Sequence, residues 1–131
     1  AVTLTAAGTG FDISTSGASQ TIGSLAGVTG STVTLGAQSL ILGGNGNSVF
    51  DGAISGTGGL VKNGTGILTL GGANLFNGGL ALNGGGLVVG NSAALGSGAL
   101  TVGASATLDA STAANLANNI TLASGANLNL L

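Results

Sequence analysis

The residues that could carry out acid–base chemistry in this sequence are few: Asp12, Asp51, Asp109 and Lys62. Two carboxylates a few ångströms apart could cleave a glycosidic bond, one as the acid and the other as the base or nucleophile. A repeat runs through the chain, and the aspartates are separated by nearly two and nearly three of its periods, so no two fall in register. We therefore expect no catalytic carboxylate pair, and interpret the aspartates as solvated or turn-capping residues.

Nucleophilic catalysis is equally poorly supported by the residue types present. A serine or threonine nucleophile needs a neighbouring base, and the sequence has no histidine and a single lysine. The sequence also lacks the G-x-S-x-G motif of the nucleophile elbow. We predict no enzymatic activity, no catalytic residue and no cofactor.

One glycine-rich stretch, Gly43–Val49, is close to a calcium-binding nonapeptide. Asn47 stands where that motif has aspartate, and the stretch occurs once, whereas calcium binding there needs carboxylates from tandem copies. We interpret it as a glycine and asparagine turn and expect no metal site. The three aromatic residues, Phe11, Phe50 and Phe76, are too scattered for a sugar-stacking platform, so we expect them to pack in the core.

Composition narrows the possible partners. The net charge is −2, and 44% of residues are apolar while 3% are charged. A chain with one cation cannot neutralise several phosphates, so we expect no nucleic-acid binding. No uninterrupted apolar run reaches the length of a membrane span, so we expect no membrane insertion, and no secretory signal peptide is recognisable.

The secondary-structure elements of this chain can be predicted from its sequence repeat. Residues of similar size recur at a fixed interval through the second half of the chain. The columns are Leu60, Leu80, Leu100 and Ile120; Leu68, Val88, Leu108 and Leu128; Ala73, Ala93 and Ala113; Gly66, Gly86, Ala106 and Ala126; and Gly58, Gly78, Gly98 and Asn118. The period is about 20 residues, a length that indicates stacked structural repeats.

Within each repeat, short alternating segments predict a strand, a turn and a second strand. The residues from Thr21 to Gly30 predict irregular strand and turn rather than helix, because glycines interrupt them. The step from Val33 to Leu60 is longer than one period, which places extra residues in one repeat, near Gly43–Asn47. In strict register Lys62 would point inward, so we expect a local slip that turns it outward.

A repeat unit of short strands buries its apolar face only by stacking on its neighbours. We predict an all-β fold: a right-handed, single-stranded parallel β-helix, or β-solenoid, with about 20 residues per rung. We expect one domain, 1–131, with less regular rungs in 1–55 and regular rungs in 56–131.

Several segments carry a resemblance to a known family. They read GTGGLVKNGTGILTL at 56–70, GGLALNGGGL at 78–87, ALGSGALTV at 94–102 and NNITL at 118–122. This pattern resembles the passenger-associated repeat of bacterial autotransporters, most clearly over 56–109. The resemblance implies a parallel β-helix exported to the bacterial cell surface or beyond it. It also implies that the chain is a passenger fragment or a short secreted relative.

Three functions are compatible with these observations. The first is a structural or adhesive, non-catalytic β-helix of an autotransporter-like surface protein, with host-cell or biofilm surface components as partners. The second is a fibre subunit that stacks end to end with other copies, because neither end carries the charges or prolines that usually protect strand edges. The third is a carbohydrate-active β-helix, which would need clustered functional residues on one face.

Overall fold

The computed structural model describes residues 1–110 and 115–131, and in these residues the chain is all-β. Three parallel sheets run along the molecule, and the chain passes from sheet A to sheet C and back in each coil, by way of sheet B in the first four coils. The strand order in each sheet follows the chain, with every described pairing parallel. The protein is therefore a single-stranded parallel β-helix, and its coils have about the length that the repeat predicted.

Sheet A holds seven strands: β1 (Val2–Leu4), β4 (Leu25–Gly27), β7 (Ser48–Phe50), β10 (Ile67–Leu70), β13 (Gly86–Val89), β15 (Ala106–Asp109) and β17 (Leu128–Leu130). Within the described residues, sheet B holds four: β2 (Gly10–Asp12), β5 (Thr32–Thr34), β8 (Ala53–Gly56) and β11 (Leu75–Phe76). Sheet C holds six: β3 (Gln20–Ile22), β6 (Leu40–Leu42), β9 (Leu60–Lys62), β12 (Leu80–Leu82), β14 (Leu100–Val102) and β16 (Ile120–Leu122).

The expectation of two strands per repeat is wrong for the first four coils, which have a third strand in sheet B. In the fourth coil this third strand is Leu75–Phe76, which with two residues is too short to show an apolar alternation in the sequence. The expected strand and turn in 21–30 is confirmed by β3 and β4.

Sheet C has a constant register. Its strands pair at the same step throughout: Gln20 with Leu40, Leu40 with Leu60, and so on to Leu100 with Ile120. The predicted column of Leu60, Leu80, Leu100 and Ile120 is therefore confirmed. Members of the predicted column Gly58, Gly78, Gly98 and Asn118 also contact each other across coils. Gly78 N–H donates a hydrogen bond to Gly58 O, and Asn118 Nδ2 donates one to Gly98 O. Ala113, in the alanine column, lies outside the described residues.

Sheet A does not keep this step, and the two columns predicted there are wrong. Leu68 pairs with Leu87, one residue short of the sheet C step, and Leu87 pairs with Leu108, one residue beyond it. Val88 is consequently half-buried and faces outward, because a shift of one residue exchanges the two faces of a strand.

The shift on sheet A also separates the other column members from their expected partners. Leu108 pairs with Leu130 rather than Leu128. In the glycine and alanine column, Gly86 pairs with Ile67 and Thr107 instead of Gly66 and Ala106. The corner before β13 absorbs the missing residue at Gly85, whose φ of 68° is one that residues with a Cβ rarely adopt.

The step from Val33 to Leu60, which suggested extra residues near 43–47, runs between strands of two different sheets. Val33 lies in sheet B, where it pairs with Phe11 and Ile54, while Leu60 lies in sheet C. The inferred excess is therefore wrong on sheet C, where Leu40 and Leu60 are direct partners at the ordinary step. The corner 43–47 is nonetheless longer than the corner 23–24 of the preceding coil.

The core is a continuous column of inward-facing aliphatic side chains enclosed by the three sheets. Phe50 and Phe76 are fully buried in it, as predicted, and Phe11 is half-buried against it. The large side chains with less than 2% exposure are Phe50, Phe76, Leu25, Leu35, Leu40, Ile54, Leu60, Leu68, Leu70, Leu80, Leu82 and Leu87. At about 25 cal/mol per Å² of buried apolar surface, this column supplies the main favourable contribution to folding.

Candidate functional site

The three aspartates lie at separate places on the solenoid. Asp12 is exposed on β2 of sheet B, where hydrogen bonds from the hydroxyl and the backbone N–H of Ser14 lower the pKa of its carboxyl. Asp51 is exposed just after β7, and Asp109 ends β15. The strands β10 and β13 separate β7 from β15, a distance of about 14 Å at the usual spacing between strands. The structure therefore brings no carboxylates together at the separations that glycoside cleavage uses.

Lys62 is buried, and the expectation that it points outward is wrong. Its side chain is 4% exposed, and its residue pairs with Leu42 and Leu82 in unbroken register. The Nζ atom donates a hydrogen bond to Gly64 O at 2.7 Å. Burial lowers the pKa of the ammonium group because the charged form loses its hydration. No slip occurs because a one-residue shift would also turn Leu60 out of the core.

Asn74 is a second buried polar residue, and the sequence interpretation missed it. Its side chain is 3% exposed and connects three successive coils. Oδ1 accepts a hydrogen bond from Ile54 N–H at 2.8 Å, and Nδ2 donates to Ala94 O at 2.6 Å. Each partner lies one full coil away along the chain. The only feature of the sequence that could have indicated this role was the position of an amide side chain within the repeat. Its role in the structure is to hold the coils together.

The stretch that resembles a calcium-binding motif forms the corner between β6 and β7. Asn45 Oδ1 accepts a hydrogen bond from Thr65 N–H at 3.1 Å, and Asn47 Oδ1 accepts one from Ile67 N–H at 2.8 Å. These side-chain oxygens bond to backbone of the next coil, which agrees with the interpretation of a turn. In the described part of the chain, no three residues among aspartate, glutamate, histidine and cysteine lie close enough to hold a metal ion.

One surface feature that could bind another molecule is an open depression on the outer face of sheet A at its first three strands. We call it the sheet A depression. Its volume is about 700 Å³, and its lining is small, neutral and partly apolar apart from one carboxylate. The lining residues are Thr3, Leu4, Thr5, Ala26, Gly27, Val28, Thr29, Val49 and Asp51.

Exposed aliphatic side chains distinguish the sheet A depression from an ordinary polar surface. Val49 is 49% exposed and Val28 is 42% exposed. Hydroxyl groups from Thr3 and Thr29 lie around them, and Asp51 supplies the negative charge. The depression can offer apolar contact and hydrogen bonds, and its residues form no acid–base pair.

A second exposed apolar surface lies at the last coil. Ile120 and Leu122 are 42% and 46% exposed, and Leu130 and Leu131 are 67% and 70% exposed. Among the residues that the structure describes, their strands, β16 and β17, each pair with a neighbour on one side only. This last-coil surface therefore presents apolar side chains and unpaired backbone groups together.

Among the described residues, no helix is long and apolar enough to cross a membrane. In comparisons with known proteins, no family model, curated protein or solved structure matches this chain.

Proposed function

We propose that this chain is a structural, non-catalytic segment of an autotransporter-like protein at the bacterial cell surface, where it acts as a spacer and presents an adhesive face. The observation that carries the proposal is the constant step of sheet C over six strands, which builds an uninterrupted solenoid. Such a scaffold gains length by about 4.8 Å with each coil that is stacked on it. The passenger-like repeats at 56–109 supply the link to surface export.

The distribution of functional groups also supports a structural role. The aspartates are dispersed, the single lysine is in the core, and the buried amide of Asn74 bonds to backbone. Each of these groups is explained by folding or by solvation. The sheet A depression remains as the surface on which adhesion would depend.

Localisation can be tested with antibodies raised against residues 1–131, applied to intact source cells and to permeabilised cells. We expect labelling of intact cells and loss of the label after treatment with external protease. Label that appears only after permeabilisation would refute the surface assignment.

Adhesion can be tested with the variant Val49→Lys in the full-length source protein, expressed on the source cells. The substitution puts a cation in the sheet A depression, so we expect fewer cells to attach to host-cell layers and to biofilm. Leu75→Lys is the matched control, because Leu75 is 76% exposed on sheet B, away from the depression. Equal attachment by both variants and the unmodified protein would exclude the depression as the adhesive face.

The second candidate function is end-to-end assembly into fibres, which the last-coil surface favours. A strand of another copy could continue each sheet there, an open contact that produces filaments. The variant Leu130→Lys should then abolish filaments seen by electron microscopy at high concentration, whereas Leu75→Lys should leave them intact. A purified protein that sediments as a monomer at all concentrations would refute this candidate.

A further inference from the structure

Four asparagines in the chain are followed directly by glycine: Asn45, Asn63, Asn77 and Asn83. An Asn–Gly step can modify itself. The glycine amide nitrogen attacks the asparagine Cγ, the side-chain nitrogen leaves as ammonia, and a succinimide ring forms. Water then opens the ring at either carbonyl, giving aspartate or isoaspartate. The reaction requires a free glycine amide and a backbone that can rotate.

Two of the four steps are held by the preceding coil. The Gly64 N–H donates to Leu42 O at 3.4 Å, and Gly64 is buried. The Gly78 N–H donates to Gly58 O at 3.0 Å, and the backbone of Gly58 packs closely against Gly78. In both cases the attacking nitrogen is engaged and the peptide cannot turn without breaking contacts between coils.

The Asn83–Gly84 step is restrained in a different way. The Asn83 side chain donates from Nδ2 to Asn63 Oδ1 at 2.9 Å, and its backbone N–H donates to Lys62 O at 2.8 Å. Gly84 is half-buried, and a Cβ placed on it would lie 3.0 Å from Asn63 O. The packing of this step against the coil before it opposes the rotation that ring closure needs.

The Asn45–Gly46 step has no such contact with the coil before it, although the next coil packs on its backbone, where a Cβ placed on Gly66 would lie 2.9 Å from Asn45 C. Both residues are exposed, and a Cβ placed on Gly46 would meet no atom within 4 Å. The hydrogen bonds among the described residues give the Gly46 N–H no acceptor. The cause is the length of the corner, because 43–47 extends past the shorter corner 23–24 of the coil before it. Asn45 keeps one side-chain bond, which it accepts from Thr65 N–H.

We propose that Asn45 is the site of spontaneous succinimide formation and deamidation in the folded protein, because the Gly46 N–H is exposed and has no acceptor among the described residues, while the other three Asn–Gly steps are held by the coil before them. The product adds a negative charge to the corner between β6 and β7. In the aspartate form, the carboxylate still accepts the Thr65 N–H, now through a charge-assisted hydrogen bond. In the isoaspartate form, the backbone of the corner gains a methylene group.

The single lysine makes the test simple. After incubation in the native state at mildly alkaline pH, the protein is unfolded and cleaved after Lys62, which yields the peptides 1–62 and 63–131. Asn45 is the one Asn–Gly asparagine in the first peptide, and the other three are in the second. Mass spectrometry should show the shift from amide to acid in 1–62 well before 63–131. Modification of 63–131 at an equal or faster rate would overturn the proposal.

Two further samples separate the effect of the fold from that of the sequence. In a denatured sample, both peptides should become modified, because stacking no longer protects 63–131. The variant Gly46→Ala should slow the modification of 1–62 several-fold, because a Cβ hinders ring closure, and it should keep the native circular dichroism spectrum, because the space around Gly46 is open. A native 1–62 peptide that is still modified at the original rate in this variant would also overturn the proposal.

Discussion

Lys62 Nζ donates a 2.7 Å hydrogen bond to the carbonyl oxygen of Gly64 from a side chain that is 4% exposed. The three aspartates lie elsewhere on the solenoid. The ammonium group therefore has a carbonyl dipole rather than a carboxylate as its hydrogen-bond partner. A cation in this position carries a desolvation cost that a single neutral acceptor offsets only in part.

Replacing Lys62 with methionine should therefore stabilise the protein. Methionine keeps a long flexible side chain in the core and removes the charge, so we expect the free energy of unfolding to rise by about 1–3 kcal/mol. Denaturant unfolding at neutral pH measures this change. Lys62→Gln, which keeps a hydrogen-bond donor, is the matched control and should give a smaller gain; a destabilised methionine variant would contradict the expectation.

The stability of the unmodified protein should rise with alkaline pH. Burial lowers the pKa of Lys62 below its ordinary value of 10.5, so between the two values the unfolded chain binds a proton that the folded chain does not. The free energy of unfolding then increases with pH across that window. Denaturant unfolding between about pH 7 and about pH 11 measures the increase.

The interpretation of this pH dependence is simple because the sequence lacks tyrosine, cysteine, histidine and any second lysine or arginine. Lys62 is thus the one side chain that titrates in the alkaline range. The increase in the free energy of unfolding with pH should be absent from Lys62→Met. An equal increase in that variant would mean that a different titrating group causes it.

Truncating Asn74 should be costly. Asn74→Ala leaves the Ile54 N–H and the Ala94 carbonyl without their buried partner, so we expect a loss of about 2–4 kcal/mol in the free energy of unfolding. Thermal and denaturant unfolding both measure this loss. Asn129→Ala, on the exposed face of β17, is the control and should change stability by less than about 0.5 kcal/mol. Similar effects from the two variants would show that Asn74 does not hold the coils together.

The corner glycines should differ sharply in their tolerance of a Cβ. Gly96 has a φ of 63°, and a Cβ there would overlap Phe76 O. We expect Gly96→Ala to destabilise the fold by more than about 1 kcal/mol. Gly43→Ala should be nearly neutral, because the nearest atom to its Cβ would be Thr21 Cγ2 at 3.8 Å. Unfolding midpoints of the two variants test this contrast.

The altered register of β13 can be tested by comparing neighbouring residues. Leu87 is 1% exposed and Val88 is half-buried on the outer face. Leu87→Ala should therefore cost about 2–5 kcal/mol, whereas Val88→Ala should cost less than about 1 kcal/mol. If Val88→Ala cost more than Leu87→Ala in unfolding experiments, Val88 would face the core, as the strictly periodic column predicts.

Much of the fold could be predicted from the sequence, because stacking places the same residue type at the same position in each coil. Leu60, Leu80 and Leu100 face the core in one column, and that column alone identifies a solenoid. The shortened and lengthened steps on sheet A could not be predicted. They depend on corner turns such as the one at Gly85, and a sequence rich in glycine does not show which turn shortens.

The buried polar residues were beyond prediction for a different reason. Lys62 follows the column of Leu42 and Leu82, and the penalty for burying a charge argued for an outward position. The structure shows that keeping Leu60 and its neighbours in register outweighs that penalty, with the Gly64 carbonyl oxygen as partial compensation. The only signal that Asn74 carries in the sequence is its position in the repeat, because its two partners are backbone groups one coil away on either side.

The constant step of sheet C has a consequence for how such a chain can change in length. Deleting a segment such as 60–79 would put β12 in the place of β9, and duplicating it would add one strand to sheet C at the same step. In both cases the strands of sheet C keep their register, so the flanking coils pair as before. Sheet A imposes no such rule, since its strands accept both shorter and longer steps by adjusting the corners. Genetic gain or loss of whole coils is therefore compatible with folding, and small insertions are accommodated at the corners that lead into sheet A.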